Sequence, residues 1–384
     1  MTPGPQALVG ADIFDGTHRH RGHALVLDGA WVKAILPESG LPETAETTQL
    51  DGGVLCPGFV DLQVNGGGGV LFNDDQSLPA LRTMAAAHAR LGATSILPTL
   101  ITDTPAHTAR AIEGVAAAIA EGVDGIIGLH LEGPHLSVAR KGAHDPALIR
   151  PMNAADMAVL TDGAKRLPIL KLTVAPETVT PDQITALSTA GILISLGHSD
   201  ASFVTCDAAA TAGARCVTHL FNAMSQLTNR EPGLVGAALS LGSLSSGLIA
   251  DGIHVHPASV KTALAAKAGP GRVFLVSDAM AVAGSSQTEF QLNGRRVLRR
   301  DGRLTLENGT LAGADLDLRT AIHNLTAWEA ATPDQALAMA TSIPASLAGA
   351  CGGRLQGGAK ADVVHIPDRE TSPLAVWQSG QRII

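Results

Sequence analysis

Tyrosine is absent from this 384-residue chain and aromatic residues make up only 3% of it, so the stacking platforms that hold nucleic-acid bases or sugar polymers are scarce. Positive charge is also in deficit. A formal net charge of −8 argues against a nucleic-acid or anionic-membrane partner, because such surfaces need clustered Lys and Arg; a small anionic substrate met by local positive charge stays open. The four cysteines, Cys56, Cys206, Cys216 and Cys351, are widely spaced and form no CxxC pair. Neither a disulfide framework nor a thiolate zinc site is expected, and the thiols are read as reduced and inert. No apolar run approaches the roughly 20 residues that a membrane span requires. The opening segment MTPGPQALVG lacks the basic start, apolar core and small-residue cleavage site of a secretory signal, which leads to the expectation of a cytoplasmic protein.

What is present is a change of texture along the chain. Residues 7 to 14 and 24 to 37 form apolar or alternating runs broken by Gly and Asp, the pattern of antiparallel strands in a small sheet. From residue 54 short apolar runs alternate with Ala-rich amphipathic stretches, the mark of repeated βα units. Eight strands are expected, at 54–64, 94–100, 125–132, 169–177, 192–199, 215–221, 246–254 and 272–279. Between the first two, Leu78, Leu81, Met84, Ala85 and His88 fall on one helical face and Gly92 ends the helix. The fold class expected is therefore α/β, a (β/α)8 TIM-type barrel over 54–355. Asn293-Gly294, Asp301-Gly302 and Asn308-Gly309 mark hairpin turns in an insertion near 287–310. Strand-like runs after 361 are expected to pair with the N-terminal ones, giving a small β-sandwich domain from 1–53 plus 356–384.

The informative feature is where ionisable and amide groups sit. Gln63, Glu132, Glu177, His198, His219, His254 and Asp278 lie at or just beyond the C-terminal ends of seven of the eight strands, and in such a barrel those ends converge on one mouth. Glu132, His198 and His219 offer a carboxylate and two imidazoles, a set that suits a catalytic zinc with an open fourth position; iron or manganese would accept it too. Taken singly, Glu132 could serve a helix N-cap and either histidine could be a satisfied core residue, but together the metal reading dominates. Asp278 reads either as an N-cap or as a general base for an activated water and acid for a leaving amine, a role worth about 10²–10⁴ in rate. The cluster His18, Arg19, His20, Arg21 and His23 is read as surface rather than as a metal site.

At these residues the sequence resembles the N-acetylglucosamine-6-phosphate deacetylase family of the amidohydrolase superfamily. The resemblance runs in order through PGFVDLQVNGGGGVLFND (57–74), GLHLEGPHLSVARKGAHDP (128–146), TVAPE (173–177), SLGHSDA (195–201), THLFNAMSQLTNREPG (218–233), ADGIHV (250–255), VSDAM (276–280) and GTLAGADLDL (309–318). It implies that Glu132, His198 and His219 hold the metal, that Asp278 is the acid/base and that His144, beside the backbone of Ala143, polarises the acetamide carbonyl. It further implies substrate contacts from Asn222, Ala223 and His254, and from Leu311, Ala312, Gly313 and Ala314 closing over the sugar. Arg230 matches the family's phosphate-binding arginine, which reaches the neighbouring subunit's site, so a homodimer is implied; the alternative for Arg230 is a solvated loop cation. Many amidohydrolases place His-x-His at the end of the first strand, where this chain has Gln63-Val64-Asn65. An amide is a poor zinc ligand, so one divalent ion per subunit is expected, zinc first and iron, manganese or cobalt as alternatives, with Gln63 near the second-metal or water position. Asn65 and Gly66 to Gly69 lack the Lys-Ser/Thr ending of a P-loop and are read as close backbone approach at the mouth.

The expected reaction is hydrolysis of N-acetylglucosamine 6-phosphate to glucosamine 6-phosphate and acetate, in amino-sugar breakdown or recycling. Two other readings remain: a different substrate on the same barrel, such as another N-acetylhexosamine phosphate, a cyclic amide or a dipeptide, and a non-catalytic sugar-phosphate-binding barrel. The second is disfavoured because Glu132, His198, His219 and Asp278 are all present.

Overall fold

The computed structural model describes residues 5–42, 45–369 and 372–384; residues 1–4, part of the opening segment read for a signal, lie outside that description. Eight parallel strands form one sheet in chain order: β1 (Phe59–Val64), β2 (Ala93–Ile101), β3 (Leu129–Glu132), β4 (Leu170–Val174), β5 (Leu193–Leu196), β6 (Cys216–Val217), β7 (Ser245–Leu248) and β8 (Val273–Leu275). The last returns to the first. Val64 and Ala279 form a parallel bridge, and the N–H groups of Asn65 and Gly66 donate to the Ala279 carbonyl at 2.8 and 3.2 Å, completing a (β/α)8 barrel. Asp61 stitches the same seam by accepting the N–H of Ser277 at 3.2 Å, and burial pushes its carboxyl up to about 7.

Because helices cover the outer face, the strands are buried on both sides and read as apolar runs rather than alternating ones. The helices start where side chains can satisfy free N–H groups: Ser77, Thr104, Asn153, Thr180 and Ser202 each accept from the first turn. In helix Leu78–Arg90, Leu81, Met84, Ala85 and His88 are buried, the face expected from the periodicity.

Several strands are shorter than their apolar runs, for identifiable reasons. The run 54–64 is two strands, since Val54–Pro57 pairs with Val363–Ile366 and Asp12–Phe14 in a different sheet. Gly58 makes the hand-over: a Cβ there would lie 1.9 Å from Thr94 Oγ1. The runs 215–221 and 246–254 give only Cys216–Val217 and Ser245–Leu248, because the chain beyond them turns to build the mouth.

Two further sheets come from the ends of the chain. One is ordered Trp31–Pro37, His23–Asp28, Gln6–Val9, Glu46–Gln49; the other runs Gln381–Arg382, Ala375–Gln378, Val363–Ile366, Val54–Pro57, Asp12–Phe14, Arg19–His20. Leu8, Leu25, Leu27 and Val32 from the first pack with Ile13, Leu55, Val363 and Trp377 from the second. Arg19 is held by Asp334 at 2.6 Å and His20 lies 2.7 Å from Asp15, so these members of the His/Arg cluster are engaged by carboxylates. Cys56, Cys206 and Cys216 are buried, Cys351 is exposed and all four are free. Among the described residues no helix is long and apolar enough to cross a membrane.

The insertion after β8 is an antiparallel sheet of Glu289–Leu292, Arg295–Arg300, Arg303–Leu306 and Leu311–Ala314. Asn293 and Gly294 (φ 50° and 72°) and Asp301 and Gly302 (φ 50° and 69°) all take positive φ, as two-residue hairpin turns of this type demand. Its apolar side, with Leu292, Val297, Leu304 and Ala312, packs on Leu71, Ile101, Met280 and Val282, roofing the barrel mouth. The segment 311–314 is a strand whose Ala314 N–H donates to the Asp278 carbonyl at 2.9 Å.

Trp377 is 1% exposed and Trp31 is 56% exposed. Trp377→Ala is expected to destabilise the protein by about 3–5 kcal/mol in urea titration, whereas Trp31→Ala should stay within about 0.5 kcal/mol; equal effects would contradict the assigned core.

Candidate active site

The mouth encloses a cavity of about 240 Å³. On its floor Glu132, the last residue of β3, is 2% exposed, and His198 and His219, two residues beyond β5 and β6, are each 5% exposed. Glu132 Oε1 lies 3.2 Å from His198 Nε2 and 3.0 Å from His219 Nε2, and the two nitrogens are 3.1 Å apart. To reach this point the backbone takes φ of 47° at His198 and 29° at His219, a costly region for residues other than glycine that persists where the surroundings enforce it. His198 is oriented from behind: its Nδ1 is 2.8 Å from the Arg140 carbonyl, which can only accept. The proton therefore sits on Nδ1 and Nε2 offers a lone pair.

This donor set fits a divalent cation. A tetrahedral ion with bonds of about 2.1 Å holds its ligand atoms about 3.4 Å apart, close to the observed 3.0–3.2 Å edges. Among the described residues it is the group of three able to hold a metal. Burial alone would raise the Glu132 carboxyl, but the closeness of both imidazoles outweighs it and holds the group well below the usual carboxylate range.

Asp278 (φ 50°) follows β8. Its Oδ1 accepts Asn65 Nδ2 at 2.8 Å and Gln63 Nε2 at 3.1 Å. The same Gln63 amide reaches both Glu132 oxygens at 3.2–3.3 Å, so a neutral donor sits between two carboxylates that would otherwise repel. Burial first, and the Glu132 charge second, raise the Asp278 carboxyl above its ordinary value.

His144 is buried beside these groups, its ring 4.3 Å from that of His198. Its Nδ1 accepts the Thr102 N–H at 3.3 Å and lies 2.7 Å from Thr102 Oγ1, which leaves the ring proton on Nε2. Burial holds the imidazole well below its usual value, making it a neutral donor. The Arg295 guanidinium, from the roof, donates to the Ala143 carbonyl and ties the roof to this loop. Below the floor, His130 Nε2 meets Thr173 Oγ1 at 2.7 Å, and Thr173 and Ser195 meet Thr218 at 2.7 and 2.6 Å, so the layer supporting the ligands is hydrogen-bonded strand to strand.

Ala143, Asn222, Ala223, His254, Leu311, Ala312 and Gly313 line the cavity. Gly313 is needed where it stands, because at φ 74° a Cβ would fall 2.4 Å from Met280 Cγ. Gly66 is similar, with a Cβ 2.4 Å from the Val70 carbonyl, the close approach expected of the Gly66 to Gly69 run. Ala314 is buried and is not part of that lining, and two further sequence candidates stand apart. Glu177 is exposed and accepts Ser199 Oγ and the Asp200 N–H at 2.6 and 2.7 Å, fastening one loop; Arg230 lies in an exposed loop outside its own chain's cavity wall. Sequence reasoning passed over Thr102, Asp251 and the part of Asn65 in holding Asp278. Asn65 carried a signal, since it stands two residues after Gln63 at the end of the same strand; Asp251 carried one too, three residues before His254 within ADGIHV, while Thr102 carried none.

The model of the amidohydrolase family matches residues 54–382, and that of the NagA composite domain matches 6–55. Among curated proteins, an N-acetylgalactosamine-6-phosphate deacetylase of Shewanella sp. (strain ANA-3) is 43% identical over 87% of this chain and 84% of its own. An N-acetylglucosamine-6-phosphate deacetylase of Haemophilus influenzae is 33% identical over 89% and 90%. Among solved structures, N-acetylglucosamine-6-phosphate deacetylase from Pasteurella multocida superposes with a TM-score of 0.94 at 33% identity, covering 98% of this chain and 99% of that one. A mutant of the Mycobacterium smegmatis enzyme in complex with N-acetyl-D-glucosamine-6-phosphate gives 0.89 at 30%, covering 99% of each. This chain is thus a hydrolase that belongs to the amidohydrolase family and, within it, to the N-acetylglucosamine-6-phosphate deacetylase family.

Proposed function

We propose that the protein hydrolyses N-acetylglucosamine 6-phosphate to glucosamine 6-phosphate and acetate, in amino-sugar catabolism or recycling. The observation that carries this reading is the convergence of Glu132 Oε1, His198 Nε2 and His219 Nε2 on one point, beneath a cavity walled by Asp278 and His144. A divalent cation at those donors, zinc first and iron, manganese or cobalt as alternatives, supplies Lewis acidity toward water and the acetamide carbonyl. Asp278 removes a proton from the attacking water and returns it to the amine nitrogen as the C–N bond breaks. His144 donates its Nε2–H to the carbonyl oxygen as negative charge builds there. Gln63, bonded to both carboxylates, holds the second-metal position with an amide, which favours a single ion.

On the substrate side, Ala143, Asn222 and Ala223 offer backbone and amide groups, residues 311 to 314 cover the sugar, and His254 and Arg230 meet the phosphate. Arg230 provides a bidentate fork for a dianion. Its position outside its own cavity supports a homodimer in which it serves the neighbouring site. An anionic sugar phosphate does not diffuse through a bilayer, so the reading places the reaction in the cytoplasm, where the phosphate is attached. The 43% identity to a galactosamine-type deacetylase favours one second reading, the same chemistry on the galacto epimer.

Asp278→Asn should lower kcat by about 10²–10⁴ while metal content stays at the wild-type level; a variant within tenfold of wild type would remove Asp278 from its role. Arg230→Ala should cut kcat/KM for the 6-phosphate about tenfold or more and leave the unphosphorylated sugar nearly unaffected. Wild-type kcat/KM measured on both epimers decides the second reading: a value higher for the galacto 6-phosphate would replace the gluco assignment.

A further inference from the structure

Asp251 takes part in none of the steps above, yet its side chain is 6% exposed and its hydrogen bonds all converge on one short loop. Oδ1 accepts the backbone N–H groups of Ile253 and His254, both at 2.8 Å. Oδ2 lies 2.6 Å from His254 Nδ1. The loop is anchored on its outer side, where Asn324 Nδ2 donates to the Ala250 carbonyl at 2.8 Å. Burial raises the Asp251 carboxyl, but the hydrogen bond and charge of His254 and the two N–H groups outweigh it and hold the group below its ordinary value. Asp251 is therefore an ionised acceptor, and His254 Nδ1 must donate to it.

That fixes the ring. His254 lines the cavity and its side chain is 8% exposed, so Nε2 is the nitrogen left for a ligand. A carboxylate behind an imidazole sets its tautomer and orientation and balances the positive charge that forms when the far nitrogen carries a proton to an anion. Asp278, the other carboxylate beside His254 on the cavity lining, is engaged by Asn65 and Gln63, leaving Asp251 as the residue bonded to the imidazole.

We propose that Asp251 is a positioning residue that acts through His254, presenting Nε2 to the anionic end of the substrate and setting the discrimination between phosphorylated and unphosphorylated amino sugars. This rests on the reading above that the substrate carries a phosphate. Asp251→Asn keeps an oxygen for the two backbone N–H groups while removing the charge and turning an amide N–H toward Nδ1, so the loop turn survives and the effect on the ring does not.

The test is a double-mutant cycle on the metal-loaded enzyme, with kcat and KM measured for N-acetylglucosamine 6-phosphate and for N-acetylglucosamine in wild type, Asp251→Asn, His254→Ala and the double variant. Asp251→Asn is expected to reduce kcat/KM for the phosphorylated sugar about tenfold, mainly through KM, to keep the unphosphorylated sugar within about twofold, and to add nothing once His254 is alanine. Equal losses on both sugars, or an undiminished Asp251→Asn effect in the His254→Ala background, would overturn the proposal. A wild-type enzyme indifferent to the phosphate would instead bring down the functional reading and this inference with it.

Discussion

Three electron-pair donors at the ends of three different strands stand within 3.0–3.2 Å of one another, their side chains almost wholly buried. A carboxylate and two imidazole nitrogens brought this close must be held there, and much of the mouth serves to hold them. The Arg140 carbonyl fixes the tautomer of His198, the Gln63 amide separates Glu132 from Asp278, and the layer of His130, Thr173, Thr218 and Ser195 locks the strands below. His198, His219 and Asp278 all carry positive φ, so backbone strain is concentrated where the chemistry is placed.

The remaining parts of the chain can be understood by what they do for that point. The closed barrel aims the strand ends at it, Asp61 and Ala279 close the seam beside it, and the hairpin sheet covers it and is tied by Arg295 to the loop bearing His144. The sandwich built from both ends of the chain shares residues 54–57 with the approach to β1, which sets the entry of the first barrel strand. Along the cavity, roles separate by environment: His144 is neutral through burial and a Thr102 donor, while His254 is backed by an ionised carboxylate. Under the proposed reading, this suits the two imidazoles to different tasks, one facing a carbonyl oxygen and one an anion.

The eightfold alternation and the cluster of Glu132, His198 and His219 were legible because strand ends in this architecture converge and because apolar strands make an ionisable residue conspicuous. The hairpin turns were legible through Asn-Gly and Asp-Gly, whose positive φ is a local requirement. Strand ends were less so: tertiary close approach at Gly58 divides one apolar run between two sheets, and the chain past Val217 and Leu248 leaves the barrel to form the site. Glu177 shared the strand-end position of the ligands but spends its carboxylate on Ser199 and Asp200, which no spacing reveals. Thr102 was invisible because its partner His144, 42 residues away, becomes its neighbour only through folding, whereas Asp251 stands three residues before His254 and was overlooked beside it.

The most direct measurement is anomalous diffraction from crystals of the purified, active protein, recorded across the absorption edge of the metal found in it. The account predicts a single strong anomalous peak per chain, in bonding contact with Glu132, His198 and His219 and with Gln63 outside its coordination. A peak elsewhere, two peaks sharing Gln63, or full activity in crystals and solution without any metal would contradict it.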